Sequence, residues 1–93
     1  MHNKIIWLAQ FVEKLEVKHG VYTDEVEEIL AGPKRVRRVR KGNVKGEDVY
    51  LALGQTQAGR YLTVFYIQKR DGRILPISAR DMDKKERKIY GRK

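Results

Sequence analysis

The chain has 93 residues and a formal net charge of +9 at pH 7, and 41% of its residues are hydrophobic. This length predicts a single domain over residues 1–93 with a modest core, so any active site should be a surface groove. The absence of cysteine excludes disulfides, thiolate metal sites and cysteine nucleophiles, and it fits a cytoplasmic protein. No apolar run approaches the roughly 20 residues that span a bilayer, so we expect no membrane partner.

The first twenty residues predict a short strand and a helix. The run from Lys4 to Trp7 is β-branched and aromatic, which favours a strand. Apolar residues at helical spacing then predict a helix that begins near Leu8. It should stop at His19-Gly20, because glycine easily adopts the left-handed conformation of a helix C-cap.

A second helix is expected directly after this glycine. Thr23 or Asp24 can cap it, and the acidic residues of its first turns suit the positive end of the helix dipole. Gly32-Pro33 should end it, because neither residue continues a helix well.

From Lys34 onward the sequence has the pattern of strands, with alternating apolar residues and β-branched or aromatic runs. The predicted strands are 34–41, the alternating segment around 49–53, 61–67 and 73–79, with turns at 42–46 and 54–59. Asp71-Gly72 predicts a two-residue hairpin turn, and a final short helix capped by Asp81 or Asp83 is expected. The elements predict an α+β fold: two N-terminal helices pack on a mainly antiparallel sheet of four to five strands, followed by a short C-terminal helix.

The hairpin turn also predicts which residues share a face of the sheet. A two-residue turn pairs residues in order on either side of it. The expected pairs are Arg70 with Arg73, Tyr66 with Ile77, Phe65 with Ser78, Val64 with Ala79 and Thr63 with Arg80. One face should be core, whereas Tyr61, Phe65 and Arg80 on the other could stack a base and hold a phosphate. A bulge would undo this assignment, and the two aromatic rings could instead pack beneath the C-terminal helix.

Charge is distributed very unevenly along the chain. Residues 1–33 carry three Lys against six acids, a net of −3, and residues 34–93 carry eighteen Lys or Arg against six acids, a net of +12. Six of the eight residues from 34 to 41 are cations, which indicates a polyanionic partner, for which RNA is the prediction; a solvated basic strand is the alternative. The predicted RNA-binding residues are Lys34, Arg35, Arg37, Arg38, Arg40 and Lys41, with Tyr61 and Phe65.

An ordered set of motifs spans nearly the whole chain. It consists of Trp7, Lys18-His19-Gly20-Val21, the glutamate-rich second helix, Leu53-Gly54, Gly59-Arg60, Tyr66, Ile77-Ser78-Ala79-Arg80, Glu86-Arg87 and Tyr90. This set resembles the pattern of the BrnT family. The resemblance implies a RelE-like architecture and a ribonuclease toxin of a bacterial type II toxin–antitoxin pair. It also implies a cognate antitoxin that caps the toxin and represses their operon, so that DNA is contacted only through the complex. The chain departs from the family pattern at Leu8, where an acidic residue commonly follows the tryptophan, and in its unusually basic strand.

Metal-independent RNA cleavage needs a base for the ribose 2′-hydroxyl, cations for the phosphorane and an acid for the leaving oxygen. Arg80 and Arg60 match family positions, and each could hold a phosphate with two hydrogen bonds. His19 suits acid–base work, although a histidine at a helix C-terminus is also explained by the helix dipole. Ser78 and Tyr66 are weaker candidates.

No cluster of residues at ligand spacing predicts a metal site, and we expect no cofactor. Two functions fit the sequence: an endoribonuclease toxin that acts on mRNA on or near the ribosome, and a non-catalytic RNA-binding module or degenerate toxin. An adjacent short open reading frame with a DNA-binding pattern would favour the toxin.

Overall fold

The computed structural model describes residues 4–40 and 47–91. In these ranges the chain forms three helices and four strands: α1 (Ala9–His19), α2 (Thr23–Ala31), β1 (Arg35–Arg40), β2 (Val49–Gln55), β3 (Tyr61–Gln68), β4 (Ile74–Asp81) and α3 (Lys84–Gly91). The strands form one antiparallel sheet in chain order. This confirms the α+β class, whereas the turn predicted at 42–46 lies outside the described residues. Among the described helices, none has the length and apolarity needed to span a membrane.

The helix ends follow the predicted glycines. Gly20 is in the left-handed region with φ 61°, and its N–H donates to the carbonyl of Glu16. At the start of α1, Leu8 is the N-cap and its side chain makes no capping hydrogen bond. The predicted cap of α2 is wrong by one residue, because the helix begins after Tyr22, whose N–H donates to the Glu25 carboxylate at 3.1 Å.

The predicted strand before α1 is reduced to a single parallel bridge between Ile5 and Ile74. The Ile6 N–H donates to the Ile74 carbonyl at 2.8 Å, which places this segment along the edge of β4. The indole N–H of Trp7 then donates to the carboxylate of Glu27 at 2.8 Å. The start of the described chain is thus attached both to the sheet and to α2.

The hydrophobic core lies between the sheet and the first two helices. Its fully buried members come from α1, from α2, from the link between these helices and from strands β2, β3 and β4. They include Leu15, Val21, Val26, Ile29, Ala52, Leu62, Val64 and Ala79. At Gly54 the sheet approaches α2 so closely that a Cβ would lie 2.9 Å from Cγ2 of Ile29. A glycine is therefore required for the spacing between β2 and α2.

The β3–β4 hairpin differs from the prediction in two places that compensate each other. Lys69 pairs with Arg73 through a hydrogen bond of 2.8 Å, so the turn has three residues rather than two, and Gly72 takes a φ of 92°. Farther along, a bulge leaves Ile77 without a partner. The predicted pairs Arg70–Arg73 and Tyr66–Ile77 are wrong, whereas Val64–Ala79, Phe65–Ser78 and Thr63–Arg80 are confirmed. The extra residue in the turn and the extra residue in the bulge cancel, which restores the expected register at Arg80.

The contact at Gly54 gives a test of the core. We expect Gly54→Ala to lower the free energy of unfolding by about 1–3 kcal/mol, because the new methyl group overlaps the buried side chain of Ile29. Gly91→Ala is the control, since nothing lies within 4 Å of a Cβ there. Urea unfolding measures both. Adding Ile29→Val to Gly54→Ala should recover part of the loss, and equal stability of all variants would contradict the close packing.

Candidate functional site

The sheet has a second face, which α3 covers in part and which we call the α3 face. Side chains that alternate with the core residues along each strand point to it. Arg35 pairs with Leu53, Leu53 with Thr63 and Thr63 with Arg80, so these four residues form one row across all four strands. The next row is Arg37, Leu51, Phe65 and Ser78. The predicted set of hydroxyls, aromatic rings and a guanidinium therefore does share a face.

The guanidinium of Arg80 is held on the α3 face by an ion pair. Its Nη1 and Nη2 atoms donate to the two carboxylate oxygens of Glu86 at 2.7 and 2.8 Å. The carbon of the guanidinium lies 5.5 Å from the centre of the Phe65 ring. The Arg80 side chain remains 35% exposed, so a ligand can reach it from solvent. Two hydrogen bonds and a ring contact give this cation a defined orientation.

Glu86 is the residue that attaches α3 to the sheet. Its carboxylate also accepts from the Thr63 hydroxyl and from the N–H of Asp83, both at 2.9 Å. Asp83 in turn accepts from the Glu86 N–H at 2.8 Å, so the two residues form the capping box of α3. Of the two caps predicted for this helix, Asp83 is the one observed. Burial raises the pKa of Glu86, but the hydrogen bonds from Arg80, Asp83 and Thr63 outweigh it and bring the pKa below its ordinary value.

Arg60 lies on the opposite side of the sheet and has a different set of partners. Its guanidinium donates to Asp81 at 2.8 Å, to Glu25 at 3.0 Å and to the Gly20 carbonyl at 2.8 Å. It also donates to the carbonyl of His19 at 3.2 Å. One side chain therefore links the end of α1, the first turn of α2 and the end of β4. The hydrogen bond with Asp81 raises the pKa of Arg60 and lowers that of Asp81.

The predicted catalytic residues are divided between the two faces. Arg80 and Asp81 are consecutive in β4, so their side chains point to opposite sides of the sheet. His19 belongs to the Arg60 side, because its carbonyl accepts a hydrogen bond from the Arg60 guanidinium. Tyr66 is buried in the core, where its ring stacks on Tyr50 with centres 5.7 Å apart. Burial raises the pKa of its hydroxyl.

Ser78 is brought to the α3 face with Arg80. It pairs with Phe65 in the row beside the Thr63–Arg80 pair, and it is partly exposed. The structure therefore unites Arg80, Ser78 and Phe65, and it separates them from Arg60, His19 and Tyr66.

The basic strand β1 is exposed at all six positions and forms one edge of the described sheet. Lys34, just before it, donates to the Leu30 and Gly32 carbonyls and so caps α2, and Arg38 pairs with Asp48 at 3.4 Å. Within the described ranges, three of the predicted cations have neither an ion pair nor a side-chain hydrogen bond. They are Arg35, Arg37 and Arg40, and the register places them on the α3 face. The predicted cation Lys41 lies outside the described residues.

A cleft of about 540 Å³ lies between the start of β1 and α3. It is lined by Pro33, Lys34, Arg35, Tyr61, Arg87, Tyr90 and Gly91. The Arg87 guanidinium lies 4.0 Å from the centre of the Tyr61 ring, and the rings of Tyr61 and Tyr90 meet edge to face with centres 6.0 Å apart. The predicted alternative, in which Tyr61 packs beneath the C-terminal helix, therefore holds for this residue.

Glu86 and Arg87 are not among the catalytic or RNA-binding residues predicted from the sequence. A signal for Glu86 was present, because Asp83 followed three residues later by Glu86 is the spacing of a capping box. The contacts of Glu86 with Thr63 and Arg80 depend on where α3 docks, which the local spacing does not specify.

Comparison with known families gives one match. The family model of BrnT, the ribonuclease toxin of type II toxin–antitoxin systems, matches residues 9–86. The chain belongs to the BrnT family. Membership in this BrnT family implies an RNA substrate and an antitoxin partner. The matched range includes Arg80 and Glu86 and stops before Arg87. No curated protein matches the chain significantly.

The contacts of Arg60 predict a structural role. We expect Arg60→Met to lower the free energy of unfolding by about 2 kcal/mol, because it removes the guanidinium hydrogen bonds to two carboxylates and two helix-end carbonyls. Arg73→Met is the matched control, since its ion pair with Asp71 is half exposed and should contribute less than about 1 kcal/mol. Urea unfolding of both variants checks this, and equal losses would contradict the assignment.

The lowered pKa of Glu86 predicts how stability depends on pH. Because the pKa is lower in the folded state, folding is favoured fully above the unfolded value near 4.5 and loses this contribution as the pH falls through the folded pKa. We expect Glu86→Gln to be less stable than wild type at pH 7 and to lose less stability between pH 5 and 3. Glu13→Gln, a change at an exposed residue of α1, should leave the wild-type pH profile in place. Thermal unfolding across this range makes the comparison.

Proposed function

We propose that this chain is a metal-independent endoribonuclease toxin that cleaves mRNA on its α3 face, with Arg80 at the reacting phosphate. The observation that carries the proposal is the orientation of Arg80. Its guanidinium lies between the Glu86 carboxylate and the Phe65 ring, next to a cleft lined by cations and tyrosines. The family supports the reaction class, and this geometry supports its assignment to the α3 face.

The proposed reaction uses the ribose of the substrate as its nucleophile. The 2′-hydroxyl gives its proton to solvent water and attacks the adjacent phosphorus, the bond from phosphorus to the 5′-oxygen breaks, and that oxygen takes up a proton from solvent. The products are a 2′,3′-cyclic phosphate and a 5′-hydroxyl. Arg80 stabilises the charge that develops on the non-bridging oxygens, which is usually the largest contribution to such a reaction. A guanidinium can fill this role without a metal ion, and no group of three or more His, Asp or Glu side chains in the described residues is placed to bind one.

Glu86 acts in this proposal as a positioning residue. It holds the fork of the Arg80 guanidinium through two parallel hydrogen bonds, and Thr63 and Asp83 hold the carboxylate. Since its pKa lies below the ordinary value, Glu86 is ionised at neutral pH and accepts protons weakly. His19 and Arg60 are left out of the reaction, because they lie on the other side of the sheet.

The three arginines of β1 that have no ion pair in the described ranges create the positive potential that attracts RNA to this face. Arg35, Arg37 and Arg40 lie on the same face as Arg80, at the other edge of the sheet. Cations without carboxylate partners attract a phosphate backbone at long range and hold it once bound. We propose that the cognate antitoxin neutralises the toxin by covering this face with an acidic or aromatic segment. The resemblance to the BrnT family is the basis for proposing a RelE-like architecture, and for action on mRNA in the cytoplasm, on or near the ribosome.

One contact favours the second candidate, a non-catalytic RNA-binding module or degenerate toxin. Both terminal nitrogens of the Arg80 guanidinium are taken by Glu86. A phosphate must displace this carboxylate or share the guanidinium with it. In a non-catalytic protein the same pair would serve only to attach α3 to the sheet.

RNA cleavage in EDTA separates the two functions. We expect purified protein to cleave single-stranded RNA and to leave 2′,3′-cyclic phosphate ends, and Arg80→Ala to lower kcat/KM by about 100-fold or more while binding persists. Arg70→Ala is the control, since it removes an equal charge at the β3–β4 turn. Replacing the cations at 34, 35, 37, 38, 40 and 41 by Gln should mainly raise KM and reduce the salt dependence. Salt-sensitive binding with no cleavage by wild type would leave only the RNA-binding module.

A further inference from the structure

The cleft between β1 and α3 has the composition of a nucleotide site. Its volume of about 540 Å³ falls within the roughly 300–1,000 Å³ of pockets that enclose small ligands. Three of its seven lining residues are cations, two are tyrosines and none is an acid. Such a cleft repels carboxylates and attracts phosphates, and it offers aromatic surface beside the charge.

Some of the cations and rings of the cleft already make contacts within the protein, whereas others can bind a ligand. One side of the Tyr61 ring is covered by the Arg87 guanidinium, and the Lys34 ammonium donates to two carbonyls at the end of α2. Arg35 has no ion pair within the described residues. Tyr90 meets Tyr61 edge to face, so their rings are close to perpendicular, at 77°. The group available to a phosphate is therefore Arg35, and the ring available for stacking is Tyr90.

The cleft also lies close to Arg80. Tyr61 and Thr63 are two residues apart on the same face of β3, a separation of about 6.8 Å along the strand. Thr63 is the cross-strand partner of Arg80. Arg35 lies in the same row of the sheet as Arg80, three strand spacings or about 14 Å away, so an RNA strand that crosses this face can place different phosphates on the two arginines.

We propose that this cleft binds one unpaired nucleotide of single-stranded RNA, with its base stacked on Tyr90 and a phosphate on Arg35. The inference rests on the proposed function and adds the form of the substrate. In an A-form duplex the bases are stacked in the helix and cannot be placed on a side chain, whereas an unpaired base can. The cleft therefore selects single-stranded RNA, and Arg80 acts on the phosphate next to the seated base.

The binding test uses wild-type protein and an RNA whose 2′-hydroxyls are methylated, so that the RNA has no internal nucleophile and stays intact. The probe is a single-stranded RNA octamer with 2-aminopurine at one position, compared with the same sequence in a hairpin stem. We expect the fluorescence of the single strand to be quenched on binding, and Tyr90→Leu to weaken its binding about tenfold and abolish the quenching. Tyr22→Leu, a change at an exposed tyrosine outside the cleft, should alter neither.

A double-mutant cycle tests whether the base at the quenched position is the one that stacks on Tyr90. An abasic nucleotide at the quenched position should weaken octamer binding to the Tyr90 protein and have little effect on binding to the Tyr90→Leu protein. Tyr90→Phe, which keeps the ring, should restore both affinity and quenching. The proposal is overturned if the two changes add independently, or if the hairpin stem binds as tightly as the single strand. Stacking without any cleavage by wild type would overturn the ribonuclease proposal and leave the nucleotide cleft standing.

Discussion

The Glu86 carboxylate is the contact on which the α3 face depends. One group caps α3 with Asp83, binds the Thr63 hydroxyl in the sheet and orients the Arg80 guanidinium. The helix is eight residues long and has no buried residue of its own, so apolar packing alone gives little energy for docking it. Charge-assisted hydrogen bonds in a partly buried position compensate for this. The same bonds that attach the helix therefore also place the proposed catalytic cation and complete one wall of the cleft.

Two arginines that look equivalent in the sequence have opposite roles because of the sheet between them. Arg60 points towards the helices, where it neutralises two carboxylates and satisfies carbonyls at the end of α1. Arg80 points to the α3 face and keeps an exposed edge. Arg60 is held by groups from three segments of the chain, whereas the Arg80 guanidinium is bound to one side chain, Glu86, which a phosphate would have to displace or share. Because side chains alternate along the strands, the ion pair of Arg60 with Asp81 lies on the helix side of the sheet and the proposed catalytic residue Arg80 lies on the α3 face.

The fold places the acidic and the basic residues of the chain in different surroundings. Three acids of α2 make hydrogen bonds within the protein: Glu25 with Arg60, Glu27 with Trp7, and Glu28 with the N–H of Gln57. The arginines of β1 are mostly left without such partners in the described ranges. Positive charge is therefore exposed along the sheet edge and the cleft, where a phosphate backbone can use it, while much of the negative charge serves to hold α2 in place.

The sequence by itself determined the elements of this protein, its charge and its family. Local rules suffice for these: a glycine after the last apolar turn ends α1, alternating residues form strands, and six cations in eight residues mark a basic edge. The pairing of Thr63 with Arg80 was also predictable, although only because the three-residue turn and the bulge at Ile77 offset each other. Tertiary structure decided which side each functional residue faces and which residues meet. Glu86 reaches Thr63 across 23 positions of sequence, and Arg60 reaches His19 across 41. Such contacts depend on how the helices dock on the sheet. The energy of docking comes from residues far apart in the sequence, so a local sequence pattern does not predict it.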